Sequence, residues 1–266
     1  MNKPKTPRYS LSISLLLRIA VSVLLNRPRS FHRDAHSLID RLQPPLQVHG
    51  QEHIPNKDFF LTINHYTRPG FGAWWIALAV SAVVEQDIHW MIANAWAFPG
   101  KWYADLLRPL SQRLFTRLAE IYGFTTTPPM PPEPSEAQAR EEAVRHVLKA
   151  ARQSPKPVLG LSPEGRDFPG GVLGQPPHGV GRFIYQLYQT GYVILPVGVY
   201  EENGVLCLRF GKSYRLGDPH SHATGEIDPN TFRLITQRQI DLLLSRTVMR
   251  HIAVLVPKHL HGVYDL

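Results

Sequence analysis

Short apolar runs alternate with longer stretches of helical spacing along most of the chain. Runs of four to eight residues rich in β-branched and aromatic side chains are typical of buried strands. The first such run, DFFLTI, stops abruptly at Asn64-His65, and VLGLS stops at Pro163. The predicted strands are residues 58–63, 89–93, 158–162, 193–200 and 206–210.

The stretches between these runs carry the signals of helices. Residues 71–84 are apolar or small but too few to cross a bilayer, so they predict a buried helix. Ser135 and Gln138 form a capping-box pattern, and Gly191 is placed to end a helix. Apolar residues from Ala143 to Ala151 fall on one helical face. The predicted helices are residues 71–84, 96–118, 135–151, 180–188 and 231–255.

Two shorter segments complete the pattern. Residues 121–124 predict a short strand. Residues 125–134 include five prolines and predict a surface loop, because proline cannot donate to a helix or a ladder. Strands alternating with helices then predict an α/β fold: a single domain with a mixed central β-sheet flanked by helices.

The N-terminal segment differs from this body. Residues 11–25, LSISLLLRIAVSVLL, are shorter than the roughly 20 apolar residues of a membrane span and include Arg18. Asn26-Arg27-Pro28 is not a signal-peptide cleavage site. The favoured interpretation is a helix lying in the membrane interface, and the alternative is a soluble helix packed on the body.

Charge is concentrated in this same segment. Residues 1–33 hold seven Lys and Arg and no acid, whereas the remaining 233 residues hold 22 basic and 21 acidic groups. A basic N-terminus beside apolar residues suits anionic lipid headgroups, and a nearly neutral body argues against nucleic-acid binding. We therefore divide the chain into a membrane-surface segment, 1–33, and an α/β domain, 34–266. The expected location is the cytoplasmic face of a membrane, as a peripheral or monotopic protein.

The single cysteine, Cys207, excludes an intramolecular disulfide and fits a reducing compartment. It lies in an alternating strand pattern, so we interpret it as a core thiol. The pairs His220/His222 and His259/His261 have metal-ligand spacing but are interpreted as surface histidines. No metal site is predicted.

Polar residues stand where two of the predicted strands end. Asn64-His65 follows one strand, and Glu164-Gly165-Arg166 follows another. In open α/β sheets, sites form at the carboxyl ends of strands. His65 is a candidate general base, and Arg166 a candidate for binding a phosphate. Gly165 lets the backbone approach a ligand, and Glu164 is a candidate acceptor of hydrogen bonds.

These residues, in this order, resemble the glycerolipid acyltransferase family that includes lysophosphatidic acid acyltransferase. The family has four ordered blocks. The first is a strand ending in Asn-His, then four residues and an Asp, and the second is a stretch with a Pro and a Gly that closes in a short strand. The third is Phe-Pro-Glu-Gly-Thr-Arg after a strand, and the fourth is a strand with a Val-Pro-Val type core. The second block matches here only in outline. The corresponding segments are residues 63–70, 96–124, 162–167 and 194–198.

The resemblance implies an activity. His65 would deprotonate a hydroxyl of a lysophospholipid or glycerol-phosphate-like acceptor, which would attack the thioester of acyl-CoA or acyl-carrier-protein. Asn64, Glu164, Gly165 and Arg166 would hold the acceptor, with no metal and no cofactor besides the acyl donor. The implied partners are membrane lipids and that donor, and the sequence does not indicate an oligomeric state.

The chain departs from the family pattern at the carboxylate that orients the histidine. The family's Asp is Gly70 here, and Asp167, Asp58 and Glu164 are the candidates to replace it. Two interpretations follow: an acyltransferase, or a catalytically reduced lipid-binding relative of the same fold. A carboxylate that reaches His65 in the structure would favour the enzyme.

Overall fold

The computed structural model describes residues 7–96, 104–131, 133–217 and 237–265, with the side chains of 104–106 outside the description. A seven-stranded sheet of order β1-β7-β6-β2-β5-β3-β4 forms its centre. The strands are Gln47–His49 (β1), Phe59–Ile63 (β2), Ile88–Ala93 (β3), Thr125–Thr127 (β4), Val158–Leu161 (β5), Val193–Glu202 (β6) and Val205–Phe210 (β7).

Helices connect and flank the strands, which confirms the predicted α/β class. Seven α-helices lie in the described ranges: Ile13–Leu25 (α1), Phe31–Ile39 (α2), Trp74–Val83 (α3), Ala104–Tyr122 (α4), Ala137–Ala150 (α5), Val180–Gln189 (α6) and Gln237–Ala253 (α7). Helix α2 packs on α3, and α6 packs on α7. The helices predicted at 96–118 and 231–255 begin partly outside the described residues.

Strand direction makes the sheet mixed, as predicted. Strands β2, β3, β4, β5 and β6 run parallel to one another, while β7 is antiparallel to β6 and parallel to β1. The central strand β2 is buried along its whole length. Parallel strands covered on both faces carry continuous apolar runs, which explains the unbroken FFLTI pattern.

The prediction for residues 121–127 is wrong. Ile121 and Tyr122 end helix α4, and Gly123, with φ of +70°, makes the turn out of it. The strand lies slightly later, at Thr125–Thr127, paired with β3 at the sheet edge. Residues 125–127 precede the first of the prolines, so nothing prevents them from pairing. The predicted surface loop is therefore shorter, beginning at residue 128.

The capping box predicted at Ser135 is also wrong. Residues Pro134–Glu136 form a turn of 3₁₀-helix, and α5 begins at Ala137 without a side-chain cap. The core-facing side of this helix is as predicted, since Ala143, Val147 and Ala151 are buried. Strand β1 and helix α2 are elements that the sequence pattern did not predict.

The N-terminal segment is helical and packs on the body. Leu15 of α1 is 1% exposed, and α1 contacts α4. After it, the Arg29 guanidinium donates two hydrogen bonds, of 2.7 and 2.6 Å, to the carboxylate of Asp34, which also accepts one from the Tyr122 hydroxyl. Asp34 thus joins α2 both to Arg29 and to α4. Helix α2 runs across the boundary proposed between residues 33 and 34.

The helices in the described residues are short or carry polar side chains along their length. None of them combines the length and the apolarity needed to cross a bilayer.

Candidate active site

The two polar motifs meet because their strands are neighbours. Strand β2 pairs in parallel with β5, with Thr62 opposite Leu161 at their carboxyl ends. His65 and Glu164 each follow three residues later on their own chain segment. The strand register therefore places both motifs at the same edge of the sheet.

Glu164 connects the two loops at this edge. Its side chain is almost fully buried, and its carboxylate accepts hydrogen bonds of 2.6 Å from the backbone N–H of His65 and of 2.6 Å from that of Gly174. Burial raises the pKa of this carboxyl, and the two backbone donors act against that rise. Both oxygens are occupied by backbone, so Glu164 fixes the position of the His65 backbone.

Asn64 makes the corresponding connection to β6. Its amide donates a 2.8 Å hydrogen bond to the carbonyl of Val199 and accepts one of 2.7 Å from the Val199 N–H. The side chain is 1% exposed. Asn64 therefore extends the pairing of β2 with β6 beyond the last strand residue and fixes the direction in which the chain enters His65.

The imidazole of His65 contacts the carboxylate of Asp167. Its Nδ1 lies 2.7 Å from Asp167 Oδ1, within ion-pair distance, although the ring N–H is not aligned for a hydrogen bond. The His65 side chain is 23% exposed and that of Asp167 is 60% exposed. The other two candidates are placed differently: Asp58 precedes β2 at its opposite end, and Glu164 is occupied by backbone.

Gly165 and Arg166 form the exposed part of the same loop. Gly165 has φ of +65°, a conformation that disfavours side chains, and its N–H donates to the carbonyl of Ser162 to close a tight turn. The Arg166 guanidinium lies over the Phe168 ring, 4.7 Å from its centroid. Within the described residues Arg166 forms no salt bridge, and the residue is exposed to solvent.

An arginine–glutamate cluster next to the site was not anticipated. Arg68, three residues past His65, pairs through its Nε and Nη2 with the carboxylate of Glu201, which also accepts from the Tyr9 hydroxyl. Burial raises the pKa of Tyr9, and the bond to Glu201 adds to that rise. No sequence signal links residues 9, 68 and 201, because only the sheet and the placement of α1 bring them together.

The remaining residues singled out from the sequence are a core thiol, a C-terminal histidine and residues outside the described ranges. Cys207 is buried, in agreement with a core thiol. A ring nitrogen of His261 hydrogen-bonds the carbonyl of Val256, and the preceding Leu260 carbonyl accepts a hydrogen bond from the Leu173 N–H. His220 and His222, and residues 97–103 of the second motif, lie outside the described residues.

Comparisons with known proteins agree with the motifs. A family model described as Acyltransferase matches residues 45–200, more than half of the chain. A comparison with curated protein sequences finds no match. The crystal structure of the 1-acyl-sn-glycerophosphate (LPA) acyltransferase PlsC from Thermotoga maritima is similar at 13% identity, covering 91% of this chain and 82% of that chain, with a TM-score of 0.46. That likeness is too remote to indicate an activity.

The family match spans β1 to β6 and so includes both site loops. It confirms the acyltransferase family that the ordered motifs indicated. The chain belongs to the acyltransferase family.

Proposed function

We propose that the protein transfers a fatty acyl group from a thioester, acyl-CoA or acyl-carrier-protein, to a hydroxyl of a lysophospholipid or glycerol-phosphate-like acceptor, in phospholipid metabolism. The observation that carries the proposal is the position of His65. Its partly exposed imidazole lies at the carboxyl edge of the sheet, directly beside the Glu164-Gly165-Arg166 loop.

The chemistry follows from that position. His65 takes the proton of the acceptor hydroxyl as its oxygen forms a bond to the thioester carbonyl carbon. The tetrahedral intermediate then breaks the carbon–sulfur bond, and the thiol leaves with a proton returned by the imidazolium. No covalent acyl-enzyme, metal or further cofactor is needed. The acyl thioester is a co-substrate.

Arg166 is the proposed contact for the acceptor phosphate. Its guanidinium is exposed, lies on the Phe168 ring and has no carboxylate partner among the described residues. A guanidinium held this way presents a planar pair of N–H donors that matches two phosphate oxygens. Gly165, with no side chain, leaves the approach to the loop open, while Asn64 and Glu164 hold the surrounding backbone.

Purified protein in detergent tests this proposal. We expect an ester product when the protein is incubated with lysophosphatidic acid and either acyl-CoA or acyl-carrier-protein, and the preferred donor identifies the thioester class. Stoichiometric release of thiol without ester would indicate a thioesterase. Binding of lysophospholipid without turnover by any donor and acceptor pair would favour the alternative, a lipid-binding relative that has lost the chemistry.

The proposed location is a membrane surface, at the cytoplasmic face. Although Leu15 and Ser22 of α1 face inward, the outward side of the helix is also apolar, with Ile13, Leu17 and Leu24 each more than 60% exposed. The neighbouring helix α4 exposes Leu107, Leu110 and Leu114 at helical spacing. An exposed apolar surface of this kind is uncommon on a monomeric soluble protein and is typical of a site of interaction with a membrane or another protein.

Basic side chains border this apolar surface. Arg8, Arg18, Arg27 and Arg33 are exposed around α1, and the first 33 residues contain no acid. Each cation near an anionic leaflet contributes about 1 kcal/mol to binding. Burial of the leucines in the acyl region and attraction of the arginines to headgroups would hold α1 flat on the membrane as a peripheral or monotopic anchor.

Replacing Leu17 and Leu24 together by Asp should weaken binding to phosphatidylglycerol-containing vesicles by at least about tenfold, because two buried leucines contribute roughly 1.5–3 kcal/mol each. Co-sedimentation with vesicles measures the fraction of protein bound. Val263→Asp, also at an exposed apolar residue but outside α1 and α4, is the matched control and should bind like wild type. Unchanged binding of the double variant would contradict the membrane face.

A further inference from the structure

The loop that carries His65 contains no acidic residue of its own. Residues 66–72 read YTRPGFG, and Gly70 leaves its position without a side chain. An imidazole that acts as a base gains from a carboxylate on its second nitrogen, which selects the tautomer and stabilises the imidazolium that forms. In this chain such a carboxylate has to come from another segment.

The segment after β5 supplies one. Asp167 Oδ1 lies 2.7 Å from His65 Nδ1, and within the described ranges it is the only carboxylate in ion-pair contact with this ring. We propose that Asp167 is the positioning residue of His65. The inference rests on the proposed acyl transfer and adds to it the group that sets which imidazole nitrogen faces the acceptor.

The local backbone keeps the two residues in register. Glu164 stands three residues before Asp167 and accepts a hydrogen bond from the His65 N–H. This bond ties the start of the loop that carries Asp167 to the loop that carries His65. The turn closed by Gly165 N–H on the Ser162 carbonyl then directs the chain back toward the ring. A contact on Nδ1 leaves Nε2 as the nitrogen that accepts the proton of the acceptor hydroxyl.

The solvent exposure of Asp167 distinguishes a role in positioning His65 from a role in stabilising the fold. Asp167 is 60% exposed, and exposed ion pairs contribute little to stability. The current misalignment of the ring N–H fits a resting site, because catalytic hydrogen bonds often align only when substrate binds. Removing the carboxylate should therefore affect turnover far more than folding.

We expect Asp167→Asn to lower kcat by roughly 10²-fold, less than the roughly 10⁴-fold for a fully buried triad carboxylate. KM for both substrates should stay within about threefold, and Asp167→Glu should recover most of the lost rate. The ¹⁵N spectrum of the imidazole should report the tautomer protonated on Nδ1 in wild type and a mixture in Asp167→Asn.

Asp40→Asn is the matched control, because Asp40 contacts another histidine, His36 Nδ1, at 2.8 Å and is similarly exposed. It should leave kcat and the His65 spectrum unchanged. The inference is overturned if Asp167→Asn keeps a wild-type kcat while His65→Gln is inactive, or if the tautomer of His65 does not change. If instead the proposed function is wrong, wild type itself transfers no acyl group. The tautomer measurement then still tests the role of Asp167.

Discussion

His65→Gln should lower kcat for acyl transfer on the order of 10³-fold while leaving the protein folded. General-base catalysis by a positioned imidazole contributes about 10²–10⁴-fold, and glutamine is close in size but cannot accept a proton at neutral pH. The fold tolerates the change because Glu164 binds the backbone N–H of residue 65, not its side chain. Initial rates with saturating donor and acceptor measure the loss.

His36→Gln is the matched control for this variant. His36 is an exposed histidine that also contacts an aspartate, on helix α2 and away from the sheet edge that holds His65. It should transfer acyl groups at the wild-type rate. If His65→Gln retains more than about a tenth of the wild-type kcat, His65 is not the general base and the proposed mechanism fails.

Glu164→Ala should lower the free energy of unfolding by about 3–5 kcal/mol. The change leaves the partly buried N–H of His65 and the buried N–H of Gly174 without their acceptor, and a bond to a charged acceptor contributes about 1.5–3 kcal/mol. Glu164→Gln should cost less, roughly 2 kcal/mol, because its carbonyl oxygen still accepts one N–H while its NH₂ opposes the other.

Urea unfolding followed by circular dichroism measures both losses. Glu141→Ala is the control, since Glu141 is an exposed residue paired with Arg145 at 3.9 Å and should change stability by less than about 0.5 kcal/mol. Under conditions where Glu164→Gln is still folded, its kcat should also fall, because the His65 backbone loses its anchor. A Glu164→Ala variant as stable as wild type would show that these bonds do not hold the loops.

The sequence predicted the strands and helices well wherever hydrophobic periodicity and segment length agreed. Continuous apolar runs identified β2, β5 and β6, since strands buried on both faces carry apolar side chains at nearly every position, and an alternating run identified β7. Where a short segment lacked that signal, the prediction was wrong. Residues 121–124 were assigned to a strand but end α4, because a helix of this length is stabilised by packing that local residues do not reveal.

The sequence identified the candidate site residues but not the contacts between them. Motif order identified His65 and the Glu164-Gly165-Arg166 loop, and Asp167 was one of three candidates to replace the carboxylate absent at Gly70. The structure distinguishes the three by position. Asp58 lies at the far end of β2, Glu164 is occupied by backbone, and Asp167 contacts the imidazole.

The amino-acid sequence by itself determined the α/β class, the family, the apolar and basic character of the N-terminus and the identity of the candidate base. These follow from composition, periodicity and short motifs, which are local properties of the chain. Only the tertiary structure decided which carboxylate reaches His65, and that Arg68 pairs with Glu201. Those contacts join residues about a hundred or more positions apart, and they exist because the pairing of β2 with β5 and β6 brings distant loops to one edge of the sheet.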